Sequence, residues 1–152
     1  MEEIVKTDKA IFSEIRQYFH VQDVDIRTYS PLALAYIGDG IYDLVIRSVV
    51  VGHGNVRPGQ LHRHTSHLVK AYSQSEMMEA ILPELTEEEE DYYRRGRNAK
   101  SPTMAKNATV ADYRRATGFE ALMGYLYLTD QFGRLLYLIN VGLRGIGADE
   151  AV

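Results

Sequence analysis

The sequence predicts an all-α fold, and three observations carry that expectation. Apolar residues recur at helical spacing through most of the chain. Several of these stretches open on helix-start signals, Ser30-Pro31, Thr86-Glu87-Glu88-Glu89 and Thr109-Val110-Ala111-Asp112 among them. No segment alternates at period two over several residues, and even the β-branched run Val49-Val50-Val51 sits inside a helical pattern.

Thr7 stands where it would cap a first helix, with Ile11, Phe12, Ile15 and Phe19 on one apolar face. Ser30 as N-cap and Pro31 at the first helical position start a second helix, running to about Val51. Leu34, Ile37, Ile41, Leu44 and Val45 recur along it, and Gly52-His53-Gly54-Asn55 ends it. Pro58 to Ile81 reads as a third helical region, anchored by Leu61, Leu68, Tyr72 and Met77 or Met78 and stopped by Pro83. Thr86 to Glu89 fits a capping box, so a further helix runs to about Arg97. Asn98 to Asn107, with Ser101-Pro102, reads as a loop. Thr109 starts a longer helix through Leu128, and Gln131 to Leu143 makes the last one. From Gly145 onward the tail lacks apolar anchors and is expected to fray.

With 152 residues and neither internal repeat nor linker, residues 1–152 read as one domain with one core. Hydrophobic residues make up 45% and charged residues 25%, the balance of a water-soluble globular protein. No stretch approaches the ~20 apolar residues of a membrane span. The acidic start Met1-Glu2-Glu3 has no signal-peptide apolar region, and zero cysteines exclude both a disulfide framework and a thiolate metal site. A cytoplasmic protein without a membrane partner is the expectation. The net charge of -4 argues against a uniformly basic nucleic-acid binder, but the charges are segregated. The acidic block Glu87 to Asp91 is followed by Arg94, Arg95, Arg97, Lys100 and Lys106, which would leave a local positive surface.

Two carboxylates stand out. Asp39 lies in Tyr36-Ile37-Gly38-Asp39-Gly40-Ile41-Tyr42-Asp43, and Glu120 in Gly118-Phe119-Glu120-Ala121-Leu122-Met123-Gly124. A lone carboxylate among apolar residues is costly to bury unless something pairs with it. Mg²⁺ held by one or two carboxylates, waters and substrate phosphates is the economical partner. Gly38 and Gly40 each cost about 1 kcal/mol against Ala inside a helix, which is tolerated where backbones approach closely. Asp43 reads as a surface residue one turn on.

These blocks resemble the ribonuclease III catalytic domain, whose signature pairs a Gly-Asp in an apolar helix with a later Phe-Glu-Ala-Leu helix. More closely they resemble its compact bacterial branch, Mini-ribonuclease III, which lacks a double-stranded-RNA-binding domain. Leu32 to Asp39, Arg94-Arg95-Gly96-Arg97-Asn98-Ala99-Lys100-Ser101 and Tyr113 to Leu122 carry the likeness, in order, over roughly Ser30 to Leu143. The resemblance implies the ribonuclease III endonuclease-domain helical fold and a homodimer. It also implies a Mg²⁺-dependent endoribonuclease (Mn²⁺ a substitute) that cuts double-stranded RNA and matures precursor 23S ribosomal RNA. It makes Asp39 and Glu120 the catalytic metal ligands. The wider family has acids four residues before the Asp and three before the Glu. Ala35 and Thr117 stand there instead, so a second ion would lean on the scissile phosphate.

The cations Arg94, Arg95, Arg97, Lys100 and Lys106, with Asn98, lead into the Glu120 helix and are expected to bind RNA through its phosphates. His62-x-His64-x-x-His67 does not gather three imidazoles on one helical face, so a zinc site there is not favoured over a polar face with His53, Arg57, Arg63 and Lys70 that touches RNA. Tyr113 and Tyr125 are further candidates for reaching the site. Two rival functions remain in view: a non-catalytic, ribosome-associated RNA-binding module of the same fold, and a nucleotide hydrolase using the acidic block. The first should have lost the metal carboxylates, and the second needs five consecutive acids that instead wrap around a helix start.

Overall fold

The computed structural model describes residues 11–54, 57–100 and 109–148. Within them, seven α-helices follow in order: α1 (Ile11–Phe19), α2 (Pro31–Gly52), α3 (Pro58–Val69), α4 (Ala71–Ile81), α5 (Glu87–Asn98), α6 (Val110–Leu128) and α7 (Phe132–Gly145). Short 3-10 turns at Ile26–Thr28 and Leu82–Glu84 complete them, and no strand occurs among the described residues.

The start signals act as expected. The hydroxyls of Ser30, Thr86 and Thr109 accept from the backbone N–H of Ala33, Glu89 and Asp112 respectively. Thr86 and Glu89 close a complete capping box. Thr7, Ser101, Pro102 and Lys106 lie outside the described residues.

Helix α6 is the centre. Every residue from Ala116 to Tyr127 except Glu120 is buried, and α2, α4, α5 and α7 all pack on it. A helix apolar on all sides must be surrounded. Tyr42 is buried with its ring edge-on to Phe119 at 5.0 Å and its hydroxyl donating to the Leu68 carbonyl at 2.9 Å.

Three expectations need correction. The region Pro58 to Ile81 is two helices, because Lys70 is extended (φ -76°, ψ 157°) and both ends α3 and precedes α4. Breaking a helix orphans its last carbonyls. Here side chains take three in succession: Ser73 Oγ donates to His67 O (2.7 Å), Tyr42 to Leu68 O, and Gln74 Nε2 to Val69 O (3.2 Å). The tail past Gly145 does not fray at once. Gly147 adopts φ 70°, Ala148 N–H donates to Leu143 O at 2.8 Å, and Ala148 is buried, a Schellman ending. Helix α1 docks through Phe12, whose ring lies 5.4 Å from Tyr127, and through Ser13 and Arg16 on Asp130, whereas Ile11, Ile15 and Phe19 remain exposed.

Candidate active site

Helices α2 and α6 cross with bare backbone at the contact. A Cβ on Gly38 would run into the Glu120 carbonyl oxygen, and one on Gly124 into that of Leu34. Each glycine admits the other helix, and the crossing sets Asp39, next to Gly38, beside Glu120. Gly40 serves no such approach, since a Cβ there would meet nothing within 4 Å. The expectation of close contact therefore holds for Gly38 and fails for Gly40.

The two carboxylates sit differently. Asp39 is exposed, contrary to the reading of it as a residue in apolar surroundings, while Glu120 is half-buried. Burial pushes the Glu120 carboxyl up to about 8, and the adjacent negative charge of Asp39 pushes in the same direction. The nearby Gln74 amide opposes the upward shift. A carboxyl held neutral by burial, with a second acid beside it, is a place that a cation would stabilise.

Ala35 and Thr117 are both buried, and the Thr117 hydroxyl donates to the Tyr113 carbonyl at 2.9 Å. Neither supplies an anion. Among the described residues no group of three or more His, Cys, Asp or Glu is placed to hold a metal. The donor set is therefore two carboxylates, which suits a hard cation that keeps several waters and takes a substrate phosphate.

Three of the basic residues lie on the helix expected to about Arg97, which reaches Asn98. Arg94, Arg95, Arg97 and Asn98 belong to the last turns of α5. Arg94 pairs with Asp91 at 2.9 Å on the exposed face. Arg95 and Arg97 flank the buried Gly96 and diverge. Arg95 lies 5.2 Å from the Tyr92 ring and donates to Tyr29 O, while Arg97 lies 5.8 Å from the Tyr93 ring and donates to Asn98 Oδ1 at 3.3 Å. Lys100 is exposed beyond the helix. The acidic block before them is solvated except for Glu89, which is buried under Arg134 at 2.9 Å.

The histidines split. His62 faces a cleft with Arg47 and Val50, whereas His64 and His67 line a separate cavity of about 510 Å³ with Arg63 and Tyr72. Tyr125 stacks on Tyr92 at 4.0 Å and is influenced by Glu88 and Gln131, on the α5 side of α6. The residue that sequence reading passed over is Gln74. Nothing in its neighbourhood of Ser and Glu residues marks it, and only the fold brings it to Glu120.

A family model described as Ribonuclease III domain matches residues 32–131. Mini-ribonuclease 3 of Enterococcus faecalis is 53% identical over 125 residues, covering 81% of this chain and 95% of that protein. Mini-ribonuclease 3 of a Thermoanaerobacter species is 46% identical over 121 residues, covering 80% and 85%. A crystal structure of a Fusobacterium nucleatum protein superposes with a TM-score of 0.72 at 33% identity, over 80% of this chain and 93% of that one. With the Gly-Asp and Phe-Glu-Ala-Leu helices crossed at one point and the likeness running through nearly all of the described helices, the chain belongs to the ribonuclease III domain family and, within it, to the Mini-ribonuclease 3 group.

Proposed function

We propose that the protein is a Mg²⁺-dependent endoribonuclease for double-stranded RNA, with Asp39 and Glu120 as its metal ligands. The observation that carries this reading is the α2–α6 crossing, which brings two carboxylates together with no cation among the described residues paired to either. A divalent cation held there would supply a water of lowered pKa and neutralise charge developing on the phosphate. Asp39 and Glu120 would hold that ion, both as carboxylates. Arg94, Arg95, Arg97, Asn98, Lys100 and Lys106 contact phosphates of the duplex, which is read by shape and backbone. The tyrosines under Arg95 and Arg97 stiffen those two side chains. Mn²⁺ substitutes for Mg²⁺, having the same preference for oxygen ligands.

One site cuts one strand, so a C₂ homodimer is the economical arrangement for a duplex. The names of the relatives support an enzyme of RNA processing; the cytoplasm is the compartment and precursor 23S ribosomal RNA the substrate we propose. The alternative, a non-catalytic ribosome-associated RNA-binding module, is disfavoured because both carboxylates are retained and adjacent. Cleavage assays on duplex RNA, single-stranded RNA, duplex DNA and nucleoside triphosphates, each with Mg²⁺ or EDTA, test the reading. Metal-dependent cutting confined to duplex RNA is expected. Asp39→Asn and Glu120→Gln should each lower the rate by at least about 100-fold, as loss of a metal ligand does. They should leave RNA affinity nearly intact, and a variant cutting at the normal rate in saturating Mg²⁺ would remove that residue from the site.

A further inference from the structure

The break at Lys70 makes α3 and α4 two walls of one cavity of about 510 Å³, and the end of α7 closes it through Ile146 and Ala148. That volume falls within the roughly 300–1,000 Å³ of small-ligand sites. Asp39, Glu120 and the cations of α5 do not line it. The proposed metal site therefore does not account for it.

The α3 wall is cationic. Successive helix residues stand about 100° apart, so Arg63, His67 and His64 fall in that order within one arc of about 100°. All three line the cavity, whereas His62 turns to the cleft beside Arg47. Among the described residues no carboxylate pairs with any of the three. The α4 wall is aromatic. Tyr72 keeps 51% of its surface exposed, and its hydroxyl donates to Glu76 Oε2 at 2.8 Å, one turn on. That bond tethers the phenol and leaves the ring as what Tyr72 offers the cavity. Ser73 Oγ donates to the His67 carbonyl at 2.7 Å, which holds the two walls together. Leu68 and Ala148, both buried, give the cavity an apolar floor.

Cations on one wall, a tethered ring on the other and an apolar floor match a molecule anionic at one end and flat at the other. Phosphate is the anion that guanidinium and imidazole donors suit. A nucleobase is the flat group that stacks on a tyrosine. Glu76 sets the orientation, because its carboxylate repels a phosphate from the α4 wall. We infer that this cavity is a second ligand site, which takes one unpaired nucleotide with its phosphate on Arg63, His64 and His67 and its base on Tyr72. A free nucleoside monophosphate and a single-stranded nucleotide flanking an RNA duplex carry the same chemistry. The site itself does not depend on the metal at Asp39 and Glu120, and only the second source rests on the proposed RNA substrate.

The test titrates the protein in EDTA with AMP, adenosine and inorganic phosphate, following backbone amide resonances. AMP should bind with a Kd below about 1 mM and move the signals of residues 63–76 and 146–148. Adenosine and phosphate, each carrying part of the recognition, should bind at least about tenfold more weakly. Arg63→Gln and Tyr72→Ala each alter one wall at an exposed position and should weaken AMP about tenfold, with Asp39→Asn binding as wild type does. AMP that fails to saturate at that limit, or that moves only signals of α2 and α5, overturns the inference. An AMP affinity unmoved by both variants overturns it as well. Should Tyr72→Ala fail to fold, Arg63→Gln and the comparison of AMP with adenosine decide. A hairpin RNA with an unpaired tail, compared with its blunt form, then separates the sources. A tailed hairpin alone displaced by AMP and weakened by Arg63→Gln assigns the RNA flank. Equal behaviour of the two hairpins assigns the free nucleotide, and either result keeps the site.

Discussion

At the scale of single residues, the site depends on an absence of atoms. Gly38 and Gly124 let α2 and α6 touch through backbone, and any side chain there meets a carbonyl oxygen rather than a flexible side-chain end. Backbone carbonyls inside two helices cannot rotate away, so the helices themselves must separate. Gly124→Ala should therefore cost about 3 kcal/mol, at the upper end for overpacking, despite the better helix propensity of Ala. It should also reduce cleavage in the remaining folded protein, because spreading the crossing moves Asp39 from Glu120. Gly40→Ala is the control. With open space at its Cβ position it should leave stability unchanged or raise it slightly, as urea denaturation of the two variants side by side will show.

At the scale of elements, the starts of α2, α3, α5 and α6 are legible because they are local: a Ser, Thr or Pro and the three residues after it settle each one. The break at Lys70 was not, because Lys70 carries no breaker signal. Its stability comes from Tyr42 on α2 and from Ser73 and Gln74 beyond the break, which donate to the orphaned carbonyls of α3. Asp39 and Glu120 were legible for the opposite reason, since each stands inside its own recognisable helix block. Gln74 was hidden because Glu120, the carboxyl it lies near, stands on a helix far along the chain. Glu89 shows the same limit. It read as one acid of a solvated run, yet it alone is buried, accepting from Thr86 N–H and bridged by Arg134. Burial pushes its carboxyl up, but the Arg134 and Thr86 hydrogen bonds outweigh that and hold it below the usual range. Arg134→Ala should cost about 2 kcal/mol, less than for a fully buried pair because the Arg134 side chain keeps 30% of its surface exposed. A carboxylate with a depressed folded pKa stabilises above its unfolded value and loses that contribution as pH falls through the folded one. The variant's acid unfolding midpoint should therefore lie at higher pH than that of wild type, measured by circular dichroism.

At the scale of the whole molecule, Glu120 acts in the opposite sense and couples stability to the metal. Its ordinary value is 4.5, and in the metal-free fold it is raised to about 8. Between those values the folded protein holds a proton that the unfolded chain has released. Stability must then fall as pH rises through that window, by at most about 1.4 kcal/mol per pH unit and less because Glu120 keeps some contact with water. An ion between Asp39 and Glu120 reverses the balance, because it binds the ionised pair and stabilises only the folded state. In EDTA the melting temperature should decline from pH 6 to pH 8, whereas in excess Mg²⁺ the decline should vanish, with protons released on binding. Glu120→Gln removes the titrating group without changing its shape. That variant should melt at higher temperature than wild type in EDTA at pH 8, show no decline with pH, and gain nothing from Mg²⁺. Scanning calorimetry of both proteins at two pH values decides it. A wild-type melting temperature that is flat across the window in EDTA would mean that Glu120 is ionised without a cation, and the electrostatic case for a metal at the crossing would be lost.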